Sequence, residues 1–200
     1  MTKQDHGDVA PTPAALSRRQ RVEGALFLAG FALCIPVANW MLGNAGTICP
    51  PNGPCLIPVA PGLMAPSGVL MVGLALVLRD MVQRRLGAGW AVGAIIAGAA
   101  LSAGLAPAAL VTASAVAFLL SEFADFAVYT PLQRRRLVLA VFASSVVGLV
   151  IDSIVFLYLA FGSLDFLLGQ IVGKSWMVML ALPAVMWLRA RDARIGLTPA

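Results

Sequence analysis

Long apolar runs alternate with short polar breaks along most of this 200-residue chain. Six runs are long enough for spanning helices, which need about 20 apolar residues each: Val22–Leu42, Gly62–Leu78, Ala88–Leu105, Pro107–Thr130, Leu137–Phe161 and Asp165–Leu188. They predict an all-α integral membrane protein of six transmembrane helices. Residues 1–20 read as a disordered cytoplasmic tail, 21–190 as the transmembrane domain and 191–200 as a second cytoplasmic tail. The external connections are Gly43–Pro61, a tight break at Ala106 and Gly162–Ser163. Pro107 separates the third run from the fourth, because proline cannot continue a helix. Pro58, Pro61 and Pro66 crowd the entry to the second run, which is expected to start unwound.

Composition agrees with that pattern. Hydrophobic residues make up 60% of the chain and charged ones 12%, against about 45–50% and about 25% in a soluble domain. Mean hydropathy is +0.90. The formal net charge is +5, but its distribution argues against nucleic acid as a partner. Lys3 with Arg18, Arg19 and Arg21, then Arg79, Arg84 and Arg85, then Arg134, Arg135 and Arg136, then Arg189, Arg191 and Arg194 each flank an apolar run. Basic residues on alternate connections are the positive-inside pattern of a multi-pass protein, with both termini cytoplasmic. The predicted location is the cell (cytoplasmic) membrane. Arg18-Arg19 before the first run resembles an export signal, yet no small-residue cleavage site follows, so the run reads as an uncleaved span.

Glycine and other small residues recur at helical spacing: Gly89, Gly93 and Ala97; Ser145, Gly148 and Asp152; Gly169 and Gly173. Small faces let membrane helices approach closely, and packing is the expected role of the glycines. Cys49 and Cys55 bracket a proline-rich external loop, where a disulfide and two free thiols are both open. Cys34 reads as a packing residue. Gly169–Ser175 imitates a phosphate-binding loop but is one residue short between its glycines and follows no strand. The single histidine, His6, lies in the tail. No zinc site, hydrolase triad or cofactor motif can be assembled, so an enzyme is not expected.

The chemistry lies in polar residues within the apolar runs. Glu122 stands 12 residues before Arg134, roughly 18 Å from that basic turn along a helix. Asp152, 16 residues past Arg136, is about 24 Å from it. Both depths fall within a hydrocarbon core about 30 Å thick, where ionisable groups are costly and usually functional. Glu122 and Asp125 share a helical face with Phe118 and Tyr129, and Gln170 shares one with Lys174. Asn39 and Trp40 lie near the outer end of the first span. Three acids against Lys174 leave two negative charges, to be balanced by protons, a cation or a donor-rich ligand. For the Asp152–Lys174 pair, a helix lock and a ligand contact are both open. Arg79 and Asp80 read as groups at the cytoplasmic mouth, either a gate or an ion pair.

Ser121-Glu122-Phe123-Ala124-Asp125, the basic turn Arg134–Arg136, Ser144-Ser145-Val146-Val147-Gly148, and Asp152-Ser153 with Phe156 resemble the VUT family of queuosine precursor transporters. So do Ala65-Pro66-Ser67-Gly68, Leu78-Arg79-Asp80, Gln83-Arg84-Arg85-Leu86-Gly87, Asn39, and Gln170-Ile171 to Lys174. The similarity runs in order over roughly residues 25–188. It implies import of 7-cyano-7-deazaguanine or 7-aminomethyl-7-deazaguanine, precursors of a modified tRNA base. Under that resemblance Glu122 or Asp125 accepts the substrate's N–H and amino group, and Lys174 or Gln170 donates to its carbonyl. Trp40, Trp176 or Tyr129 stacks on the ring, and Asp152 holds Lys174 or carries a proton. The partners implied are a small purine-like molecule and the bilayer; a monomer and a homo-oligomer are both open. The rival readings are a substrate-capture subunit of an ATP-driven importer and a membrane scaffold whose acids only lock helices.

Overall fold

The computed structural model describes residues 13–51, 53–105 and 110–200. The breaks expected at Ala106 and Pro107, and the tail before residue 13, lie outside the described residues. Six helices follow one another: α1 (Pro13–Asn44), α2 (Val69–Leu86), α3 (Ala88–Leu105), α4 (Val111–Leu132), α5 (Leu137–Phe161) and α6 (Leu167–Ile195). Between α1 and α2 lies an antiparallel hairpin of β1 (Leu56–Ala60) and β2 (Leu63–Pro66). The fold is therefore helical apart from one small hairpin.

Three boundaries depart from the pattern of apolar runs. Residues 13–20, assigned to the tail, form the first turns of α1. The second run does not enter as one unwound helix: its proline-rich start pairs as the hairpin, and the helix begins only at Val69. That helix then runs on to Leu86, carrying Arg79, Asp80, Arg84 and Arg85. The last helix likewise passes Leu188 and ends at Ile195, where Gly196 takes a left-handed conformation (φ 69°), as helix C-termini often require. A hydropathy boundary marks where charge begins, not where backbone hydrogen bonding stops.

Among the described residues, five helices are long and apolar enough to cross a membrane: α1 over Ser17–Asn44, α3, α4, α5 and α6. The chain is a multi-pass membrane protein. α2 is the exception, and its position explains why. It packs against each of the other five helices, and among the described residues no large apolar side chain of α2 is exposed. The other five present Leu26, Leu33, Trp90, Ile96, Leu120, Phe123, Phe142, Leu168 and Leu180 outward. The polar helix is thus the axis and the apolar helices its wrapping. In lipid this arrangement keeps ionisable groups inside the protein.

Close approaches tighten the wrapping. A Cβ on Gly73 of α2 would stand 2.6 Å from the Lys174 carbonyl oxygen of α6, so only glycine permits that crossing. Gly148 brings α5 against Leu76 and Asp125, while Gly169 and Gly173 seat α6 on the hairpin and the start of α2. The small face expected on α3 differs: Gly89 and Gly93 have no neighbour, and Gly98 instead meets Phe118 and Ile35. Small residues on a lipid-facing stripe and on a packing stripe look alike in sequence. One apolar cluster (Val77, Met81, Tyr129, Leu137, Val141, Val185) fills the α2–α4–α5–α6 end near the basic turn. Another (Phe31, Cys34, Ile35, Ala75, Ala94) joins α1, α2 and α3.

The hairpin is anchored to α1. The Cys55 amide donates to the Leu42 carbonyl (2.8 Å), the Ser67 amide to the Cys55 carbonyl (2.8 Å), and Ser67 Oγ to the Met41 carbonyl (2.7 Å). A Cys49–Cys55 disulfide closes the loop before it, and Cys34 is a free, buried thiol.

Candidate functional site

Polar side chains occupy three successive levels along α2. The first is a cavity of about 90 Å³, lined from all six helices and the end of β2. A water needs about 10–15 Å³ of such space, so the cavity has room for several. Asn39, Ser102, Ser114, Ser121, Glu122, Asp152, Gln170 and Lys174 give its polar lining, with Phe118 and Phe156 its aromatic walls.

Lys174 is spoken for. Its ammonium donates to Asp152 Oδ2 (2.6 Å), Ser153 Oγ (2.7 Å) and Gln170 Oε1 (2.7 Å), which uses all three of its donors. It acts on a ligand only by orienting Asp152 and Gln170. Because the Gln170 carbonyl faces Lys174, its amide NH₂ is the donor left for the cavity. Asn39 donates to the Ile35 carbonyl (3.0 Å), leaving its own carbonyl as an acceptor.

One to two turns further along α2, about 10 Å from Val72 at helical rise, lies a wholly buried knot. Arg79 Nε donates to Glu122 Oε2 (3.0 Å), and its Nη2 pairs with Asp125 Oδ1. Asp80 Oδ2 accepts from Ser144 Oγ (3.0 Å). Gln83 donates to Thr130 Oγ1 (3.0 Å), and the guanidinium also lies 5.8 Å from the centre of the Phe126 ring. Arg79, Asp80 and Asp125 are 0% exposed. Arg79 and Asp80, read as a gate or an ion pair at the cytoplasmic mouth, are buried among the helices and lie 3.1 Å apart as an ion pair. Glu122 belongs to both levels, lining the cavity while Arg79 holds one of its oxygens. Asp125 touches the knot alone.

At the third level, Asp192 accepts from Arg84 (3.0 Å) and Arg85 (2.8 Å), and Glu23 pairs with Arg19 (3.0 Å), Arg85 (2.8 Å) and Arg191 (2.7 Å). The chain end folds onto this cluster. The Ala200 amide donates to the Arg84 carbonyl (3.1 Å) and Gln20 to the Thr198 carbonyl (2.7 Å).

The structure brings Glu122, Asp152, Gln170, Lys174 and Asn39 to one chamber, with Asp125 one turn behind. It separates the proposed stacking groups from it. Trp40 is exposed; Trp176 is half exposed, its indole N–H donating to the Val59 carbonyl (3.0 Å). Tyr129 is buried in the apolar cluster near the basic turn. Phe118 and Phe156 stand where those rings were expected. Sequence reasoning missed Ser102 and Ser114, which carry no local signal; only the crossing of α3 and α4 places them. The charge count survives with different members: Asp80, Glu122, Asp125 and Asp152 face Arg79 and Lys174, again two negative charges in excess.

Fold and site together define a multi-pass membrane protein with a polar chamber enclosed by its helices. Over residues 102–188 the chain is similar to the family described as "Putative vitamin uptake transporter". That stretch runs from the end of α3 into α6 and includes Glu122, Asp125, Asp152, Gln170 and Lys174; Arg79 and Asp80 precede it. No curated protein and no solved structure matches the chain.

Proposed function

We propose that the chain belongs to the queuosine precursor branch of this transporter class and imports a 7-deazaguanine through the cavity, with both termini in the cytoplasm. The observation that carries this reading is a chamber in which a carboxylate, a free amide donor and two phenyl rings converge from different helices. A flat purine-like ring fits that chemistry. Phe118 and Phe156 offer faces to its plane, Gln170 donates to its carbonyl, and Glu122 accepts its paired N–H groups. Arg79 Nε already uses one acceptor site of Oε2, so substrate donors would compete with it there. Substrate binding would then rearrange the knot beneath the cavity, so the two levels work together. The similarity over residues 102–188 supports uptake as the activity class.

Uptake of radiolabelled 7-cyano-7-deazaguanine by cells lacking any other route tests the reading. The wild-type chain should restore uptake. Glu122→Gln should abolish it while leaving membrane insertion intact, and Phe156→Ala should weaken it severalfold. Uptake unchanged in both variants removes the cavity from the transport path. Thermal stabilisation of the purified protein by deazaguanines and not by guanine separates transport from a scaffold role.

A further inference from the structure

The Arg79 knot holds more acid than its protein partners satisfy. One guanidinium faces three carboxyl groups, and two carboxyl oxygens stay unpartnered at 0% exposure: Asp80 Oδ1 and Asp125 Oδ2. Asp80 Oδ1 stands 3.1 Å from Arg79 Nη1, near enough for an ion pair but without a hydrogen bond. Asp125 Oδ2 faces the α5 backbone at Gly148, where an added Cβ would stand 3.2 Å from it. Both carboxyl groups bear on the same guanidinium, Asp80 Oδ1 at Nη1 and Asp125 Oδ1 at Nη2. Neither leftover oxygen has a donor to accept from, and a proton on the pair supplies one. Unsatisfied polar atoms in a buried site are costly enough to require an explanation of this kind.

We propose that Asp80 and Asp125 share one proton, and that this buried site couples proton movement to the cavity through Arg79. The site itself stands on the geometry of the knot; its coupling to transport rests on the cavity being the transport site. One proton on the dyad lowers the excess of the knot from two negative charges to one. Glu122 and the dyad then each keep one negative charge, and Arg79 is paired to both. When substrate donors displace Arg79 Nε from Glu122, the guanidinium is free to turn toward Asp80 Oδ1, where it competes with the shared proton. A metal cation fits less well. The guanidinium already touches both acids, and Asp80, Glu122 and Asp125 do not converge as a metal-holding group.

The charged and titratable groups facing the dyad are Arg79 from α2, and Glu122 and Tyr129 from α4, with Arg84 beyond Tyr129. α5 gives Ser144 at the dyad, with Asp152 beyond Glu122, and α6 gives Lys174 at the level above and Asp192 at the level below. Tyr129 is one turn past Asp125, on the same face of α4 and toward the exposed basic turn. Its hydroxyl is unpartnered although it is 0% exposed, and Gln133 Oε1, one turn further, is unpartnered as well. A proton moving along α4 between the dyad and the Arg134–Arg136 end would pass these two groups, neither of which is hydrogen-bonded to the dyad here.

Infrared spectroscopy of the purified full chain reads the proton directly. A carbonyl-stretch band of a buried protonated carboxyl should appear, shift in D₂O, and move when aspartate rather than glutamate carboxyls are isotopically labelled. It should disappear in Asp80→Asn and in Asp125→Asn and persist in Asp152→Asn. The labelling needs no variant to fold. Absence of the aspartate band from mildly acidic to mildly alkaline pH, or its persistence in both dyad variants, overturns the site. In proteoliposomes, 7-cyano-7-deazaguanine uptake should change severalfold with an imposed pH gradient, and Tyr129→Phe should slow it without altering substrate Kd. Uptake that ignores the gradient while the band is present overturns the coupling. Absence of any uptake with the band intact sinks the transport reading of the cavity and leaves the proton site standing.

Discussion

Two ionic clusters sit at different heights of α2 and are unbalanced in opposite directions. At the end of the helix, Arg19, Arg84, Arg85 and Arg191 surround only Glu23 and Asp192, so each acid takes several donors. In the middle, Asp80, Glu122 and Asp125 crowd a single Arg79, and carboxyl oxygens are left over. The cation-rich cluster reaches solvent through Arg19, Glu23 and Arg191, with Arg84, Arg85 and Asp192 buried behind them, so water can screen its excess charge from that side. An acid-rich cluster at 0% exposure has no such side, and must take its balance from whatever binds there. The first is built as a latch that ties α1, α2, α6 and the chain end together. The second has the composition of a working site.

Removing the central cation breaks this contrast most severely. Arg79→Ala strands three buried carboxyl groups and should destabilise the protein by about 3–5 kcal/mol, seen as loss of folded protein in a detergent melting assay. A melt like that of the wild type would mean that water already reaches the knot. Asp192→Asn attacks the latch at its buried acid, held by Arg84 and Arg85. It should cost about 1.5–3 kcal/mol and leave substrate Kd unchanged, measured by melting and by equilibrium binding. A large change in Kd would join the two clusters into one unit.

Ionic strength sharpens the comparison without mutation. Screening acts on exposed charges and little on enclosed ones. High salt should therefore lower the wild-type melting temperature slightly, and this sensitivity should shrink in Glu23→Gln, which loses the pair with half-exposed Arg19. Equal sensitivity in both proteins would place the salt effect elsewhere. The smallest effect belongs to Trp176→Phe, which touches neither cluster. Losing its bond to the Val59 carbonyl should cost about 0.5 kcal/mol and leave uptake unaltered; lost uptake would return Trp176 to the substrate path.

What could be read from residues in order was whatever depends on local composition. The apolar runs located α1, α3, α4, α5 and α6, although α1 starts nine residues before its run and α6 ends seven after, because a span must satisfy its own backbone and face lipid wherever it sits. Glu122, Asp152, Gln170 and Lys174 stood out for the same reason: a polar group inside an apolar run is conspicuous without knowledge of its neighbours. α2 was read wrongly at both ends. Its charges looked like the edge of a span, since nothing local distinguishes an arginine facing water from one facing three carboxyl groups.

Only the tertiary structure decided which polar residues meet. It drew Arg79 and Asp80 inward, gave Lys174 a full set of partners, moved Tyr129 and Trp176 out of the chamber, and added Ser102 and Ser114 to it. These are contacts between residues tens of positions apart, fixed by which helix faces cross and how closely Gly73 and Gly148 let them approach. Composition along the chain sets the cost of burying a charge; the crossing of helices sets what answers that charge.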